Sequence, residues 1–300
     1  MGIYGGTIRA SEKDFVNEQE DRMECIGKKN FRDVYAISCV ESYILAFLKN
    51  KGINISYLYC NSFISTNHVM NDIYIQGAKY ADYEGIARIQ DTAIELGILE
   101  LKGVCCDNLE FLYKEEFEYL VGIKPESFSK IYGSQAWRDD HYVYVKKKSA
   151  DEFYYLNDNP QHEMYLDVHK LKELYDDRYI YFRYVQYKID KDTLLVKCLE
   201  QYKNEIQYID CALPNIEYEV LRDMICLLRI SRQRVRDFIS EWRSPNAAWV
   251  DHINSVFTKI EYSRVRKRYT SDIFLKELDN IRADEVEIGQ YLYDIKKELA

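Results

Sequence analysis

At about residue 190 the sequence changes its period. Before it, short runs alternate apolar and polar residues in steps of two; beyond it, apolar residues return every three or four positions. The first period belongs to half-buried strands and the second to amphipathic helices, which predicts an α+β region over 1–190 followed by a helical subdomain over 191–300. HYVYVKKK (141–148) and EFYYLND (152–158), joined by SAD, predict an antiparallel hairpin. RYIYFRYVQYKI (178–189) is the clearest strand by its Tyr, Ile, Phe and Val content, and SYLYCNSFI (56–64) and ILELKGVCC (98–106) are further candidates. EGIARIQDTAIELG (84–97) and DNLEFLYKEEFEYL (107–120) read as helices, as do the stretches 215–242, 246–269 and 283–299. With 4 Pro and 12 Gly in 300 residues, the chain has few breakers and no low-complexity linker.

Several function classes fall away on composition. No apolar run approaches the roughly 18 residues of a membrane span, and the N-terminus lacks the basic and apolar regions of a signal peptide. The expectation is a cytoplasmic protein that does not engage a membrane, whose eight cysteines are thiols. No CxxC pair is present, so neither a metal site nor a resident cofactor is expected. A net charge of −9 argues against a nucleic-acid partner. The charge is uneven, however: residues 222–268 hold 11 Lys and Arg against 5 Asp and Glu.

The chemistry gathers on three residues. In SCVESYILAFLKNKG (38–52), Val40, Tyr43, Ile44, Phe47 and Leu48 recur at helical spacing, Ser38 and Glu41 form a capping-box pattern, and Gly52 is a stop. Cys39 therefore falls in the first turn of a helix, where the dipole favours a thiolate, the nucleophilic form of cysteine. His141 opens a predicted strand directly after Asp139 and Asp140. Asp158 closes the next strand, and antiparallel pairing would carry it back toward His141, where a carboxylate can fix the tautomer of the ring. Cys39, His141 and Asp158 thus supply a nucleophile, a base and an orienter, with Asn157 and Asn159 competing for the third role.

These motifs, SCVESYILAFLKNKGI, DHYVYV and EFYYLNDN, resemble the papain-like fold over about residues 30–185. The similarity is greatest to the leader-peptide-cleaving cysteine peptidases of bacteriocin exporters and to the butirosin-type acyltransferases; the chain also resembles a third relative, the amide synthetase of closthioamide assembly. The resemblance implies a nucleophile helix packed on an antiparallel sheet, with Cys39 as nucleophile, His141 as base and Asp158 as orienter. It implies acyl transfer from a carrier-protein thioester, through an acyl-Cys39 intermediate, onto an amine or diamine in natural-product biosynthesis; the alternative is a peptidase or amidase with water as acceptor. Phosphopantetheine enters only as part of such a substrate. Papain-like peptidases usually place Gln six residues before the cysteine as an oxyanion donor; Asp33 stands there, and Asn30 is the expected substitute.

The remaining motifs have simpler readings. Arg232, Arg234 and Arg236, with Arg264, Arg266, Lys267 and Arg268, form basic runs that are either solvated helix faces or a dock for an acidic acyl or peptidyl carrier protein. His68, His162, His169 and His252 are read as structural or surface residues, and the adjacent Cys105 and Cys106 as core.

Overall fold

The computed structural model describes residues 36–80, 83, 85–133, 140–185, 190–205, 216–245 and 248–299. The protein is α+β, built on a six-stranded open sheet in the order β1-β6-β2-β3-β4-β5. The strands are β1 (Leu99–Cys105), β2 (Glu118–Ile123), β3 (His141–Lys147), β4 (Glu152–Asp158), β5 (Gln161–Asp167) and β6 (Tyr175–Tyr184). Each neighbouring pair runs antiparallel. The expected hairpin forms from β3 and β4, with Lys147 opposite Phe153 and Tyr144 opposite Leu156.

Alternation along the strands divides the sheet into two apolar faces. Leu99, Leu120, Tyr144, Leu156 and Phe182 bury against helix α1 (Cys39–Asn50). Val121, Ile123, Val143, Val145, Phe153 and Tyr155 face the other way. They are covered by Phe111, by Phe128 of α4 (Pro125–Tyr132) and by Leu171 of α5 (Val168–Leu174). The chain leaves α1 as predicted. Gly52 takes φ 74°, a left-handed conformation that suits glycine, and the N–H of Ile53 donates to the Leu48 carbonyl at 3.0 Å.

Beyond residue 190 come α6 (Lys191–Glu205), α7 (Tyr218–Ile239), α8 (Ala248–Val265), the short α9 (Asp272–Leu275) and α10 (Leu278–Leu299). They are joined to the sheet through its core. Leu194 and Leu199 of α6, Val235 and Phe238 of α7, Trp249 of α8 and Ile288 of α10 share one apolar cluster with α1. A second cluster links α7, α8 and α10 to α2 (Thr66–Val69), which continues as a π-helical turn over Met70–Ile75. Helix α3 (Ile89–Glu95) leads into β1. Among the described residues no helix is long and apolar enough to cross a membrane.

Two expected elements are replaced by others. SYLYCNSFI is not a strand: residues Ile55–Asn61 form a 3₁₀ helix, started by the Asn54 side chain, which accepts from the N–H of Ser56 at 3.1 Å. Its successive residues Leu58, Tyr59 and Cys60 are all buried, so the run is apolar on every side and carries no true period of two. DNLEFLYKEEFEYL is not a helix either. It holds a 3₁₀ turn at Glu110–Tyr113 and then enters β2, which is buried on both faces and so lacks alternation. Strand β5 went unpredicted because an edge strand with mostly exposed polar residues leaves no apolar pattern. Cys105, expected in the core, is exposed at the end of edge strand β1.

Candidate active site

Cys39 is the first residue of α1. Ser38 caps the helix, its hydroxyl oxygen accepting the N–H of Glu41 at 3.2 Å. The other half of the expected capping box is not made, since the Glu41 carboxylate turns inward. It accepts from the N–H of Ile37 at 2.6 Å, from the N–H of Ile89 at the start of α3 at 2.8 Å, and from Arg234 of α7 at 3.0 Å. Both side chains of that ion pair are fully buried. The turn presenting Cys39 is therefore pinned by three elements at once, and Cys39 itself stays part-exposed.

His141 is the first residue of β3 and is buried, its ring edge-on to Phe128 with centroids 4.6 Å apart. Asp140 before it takes φ 50° and is ion-paired with Arg178, which also grips Asp176 and lies over the Tyr142 ring. Gly122 of β2 lies beneath this network, and a Cβ there would push the Asp176 carboxylate aside. Tyr142 brings the start of β3 to the start of α1. Its phenol is pushed up chiefly by burial, against the opposing effect of Arg178, with Asp176, Asp140 and the nearby Cys39 adding to the rise.

Of the candidates for the third role, Asn157 is the one hydrogen-bonded to the His141 ring. Nε2 of His141 and Oδ1 of Asn157 are 2.6 Å apart, while Nδ2 of Asn157 donates to the Pro160 carbonyl at 2.7 Å. A carbonyl can only accept, so the amide must turn its NH₂ to Pro160 and its oxygen to the ring. An oxygen facing Nε2 in turn requires Nε2 to carry the proton. Neutral His141 is thereby held as the Nε2–H tautomer, with its basic lone pair on Nδ1.

Strand parity sets the faces of Asn157 and Asp158. With Tyr144 opposite Leu156, continuing the register sets residue 143 opposite 157 and residue 142 opposite 158. Asn157 then shares the face of Val143 and His141, and Asp158 shares that of Tyr142 and Tyr144. There the backbone N–H of Asp158 donates to the hydroxyl of Tyr43 at 3.0 Å. Its carboxylate lies near the Tyr43 and Tyr155 phenols, whose pKa values it helps to raise after the larger effect of burial.

The basic patch divides. Arg232 and Arg234 are interior residues and cannot meet a partner's surface. Arg232 pairs with buried Glu285 of α10 and donates to the Ile64 carbonyl at 2.7 Å; Arg234 pairs with Glu41. Arg236 is part-buried against Asp237. Arg264, Arg266, Lys267 and Arg268 stay exposed at the end of α8, where Arg266 and Arg268 line a shallow depression with Lys259 and Tyr262. Asn30 and Asp33 lie outside the described residues. His68 and His252 are each bracketed by two carboxylates, and His162 meets the Tyr132 hydroxyl. Among the described residues no group of three or more His, Cys, Asp or Glu is arranged to hold a metal ion.

Sequence reasoning missed Tyr43 and the inward role of Glu41. The spacing of Tyr43 four residues after Cys39 marks only a shared helix side, and nothing in the sequence announces a buried carboxylate. The sequence matches no protein-family model and no curated protein.

Proposed function

We propose that the protein is a cysteine-dependent acyl-transfer enzyme of papain-like build, with Cys39 as nucleophile, His141 as base and Asn157 as orienter. The observation that carries the reading is the 2.6 Å contact between His141 Nε2 and Asn157 Oδ1, its direction set by Pro160. That contact leaves Nδ1 as the atom through which the imidazole exchanges protons, and a Cys-His-Asn set is one of the recurring forms of the nucleophile-base-orienter arrangement. The capped helix start is further support, since a helix N-terminus favours the thiolate.

In the first step Nδ1 takes the thiol proton and the Cys39 sulfur attacks the carbonyl of an acyl thioester. A new C–S bond forms to Cys39, the old one breaks, and the leaving thiolate recovers the proton from the imidazolium. In the second, an amine attacks the acyl-Cys39 carbonyl and gives its proton to Nδ1. The amide C–N bond forms as the Cys39 sulfur leaves. A carrier-protein thioester is the donor class proposed. Its docking surface is confined to the exposed residues Arg264, Arg266, Lys267 and Arg268, because Arg232 and Arg234 are interior.

The test uses a short-chain acyl N-acetylcysteamine thioester as donor and a simple primary amine as acceptor. Intact mass and peptide mapping should find the acyl group on Cys39 of the wild type, and the amine should discharge it as an amide. Cys39→Ala should form neither adduct nor amide. Unacylated Cys39 in the wild type, or equal amide formation by Cys39→Ala, refutes the assignment.

A further inference from the structure

Tyr43 joins the helix that carries Cys39 to the strand end that carries Asn157, and we propose that it is a positioning residue setting the separation of thiol and imidazole. The proposal rests on the cysteine-enzyme reading above. Tyr43 follows Cys39 by four residues on α1, so the two side chains share a side of the helix, one turn apart. The Tyr43 phenol is buried. Its hydroxyl donates to the Leu156 carbonyl at 3.0 Å and accepts the N–H of Asp158 at 3.0 Å. Those two backbone groups flank Asn157 on either side. One hydroxyl therefore grips the main chain of the residue whose side chain orients His141.

The links run in sequence from Cys39 along α1 to Tyr43, across its hydroxyl to the end of β4, and through the Asn157 amide to Nε2 of the ring. Helix backbone is stiff, and none of the hydrogen bonds in the series exceeds 3.0 Å. If α1 slid along the sheet, it would have to break both bonds to Tyr43 before the thiol could move away from the imidazole. Burial, and after it the charges of Asp158 and Cys39, push the Tyr43 phenol up, which keeps its proton in place for Leu156. The neighbouring Tyr144 packs in the same core, 6.5 Å from Tyr43 between ring centroids, but its hydroxyl turns to Glu118. Its hydroxyl is directed away from the β4 end, and it serves as the control.

The experiment follows alkylation of Cys39 by iodoacetamide across pH, read by peptide mapping so that the other cysteines do not interfere, together with turnover of the acyl thioester. In the wild type, Cys39 should stay reactive well below the ordinary thiol range. Tyr43→Phe should move the acid limb toward a free thiol's value of about 8.5 and lower kcat by about 10- to 100-fold with KM unchanged. Tyr144→Phe should lose stability and leave the profile where it was. Replacing the Tyr43 side chain by 4-aminophenylalanine keeps a donor for Leu156 and should give an intermediate profile; this protein carries the test if Tyr43→Phe does not fold. Wild-type kcat and profile in either Tyr43 variant, or an equal shift in Tyr144→Phe, overturns the positioning role alone. A wild-type profile that is ordinary and indifferent to His141→Ala removes the underlying enzyme reading, and this proposal falls with it.

Discussion

In the proposed mechanism His141 serves as a base only while its proton is held on the far nitrogen, and one amide oxygen faces that nitrogen. Asn157→Ala deletes that acceptor and lets the ring turn or change tautomer. Acyl-thioester turnover should drop by about 10²-fold. Asp158→Asn keeps the backbone N–H that meets Tyr43 and should cost far less. Steady-state kinetics of the two variants settle the order, and a larger loss in Asp158→Asn would return the orienting role to the carboxylate. The placements of Cys39 and His141 were legible in the sequence because a helix start and a strand start each leave a local signature. The choice between Asn157 and Asp158 was not. It depends on which strand face each occupies, and that parity is fixed by pairing across the hairpin, not by either residue's own chemistry. Nor does a positive charge announce its burial: Arg232 and Arg234 look in sequence like the exposed Arg264 and Arg266, and differ only in finding Glu285 and Glu41 inside.

Among elements, those with one apolar side were readable and those with two or none were not. The β3–β4 hairpin, β6 and the long helices α7, α8 and α10 show a clean period; β2 is buried along nearly its whole length, β5 is mostly exposed, and both escaped. The junctions between helices hold a pH dependence as well. His68 at the head of the π-helical turn has Nδ1 2.8 Å from Glu205 of α6 and Nε2 3.1 Å from Asp72. His252 of α8 has Nδ1 2.6 Å from Asp284 and Nε2 3.2 Å from Glu277. The hydrogen bond to Glu205 raises the His68 pKa; at His252, burial pulls it down and Asp284 with Glu277 more than offset that. Folded-state values above the ordinary one near 6.5 mean that this stabilisation is complete below that pH and is lost as pH rises through the folded-state pKa. The chemical-denaturation midpoint should therefore fall as pH rises from about 6.5 through the folded-state pKa, and the double variant His68→Gln, His252→Gln should flatten the slope. An unchanged slope would show that both rings are neutral in the folded protein.

At the scale of the whole molecule, the helical segment reaches the candidate site through buried ion pairs. Arg232 and Ser231 of α7 bind the backbone of Ile64, and Glu285 of α10 accepts from both Arg232 and the backbone of Thr66. Two residues on, Arg234 meets Glu41 in the first turn of α1. Arg234→Met should destabilise the fold by about 3–5 kcal/mol, because it strands a buried carboxylate. Adding Glu41→Gln should recover part of the loss, and a double-mutant cycle in denaturant measures how much. Additive losses would mean that the pair is not coupled. The partners are 193 residues apart in the chain, yet changing either alone would leave the other's charge buried and uncompensated. Under mutational drift the two positions are bound to a common history: a lineage that neutralises one must soon replace the other or lose the turn that presents Cys39.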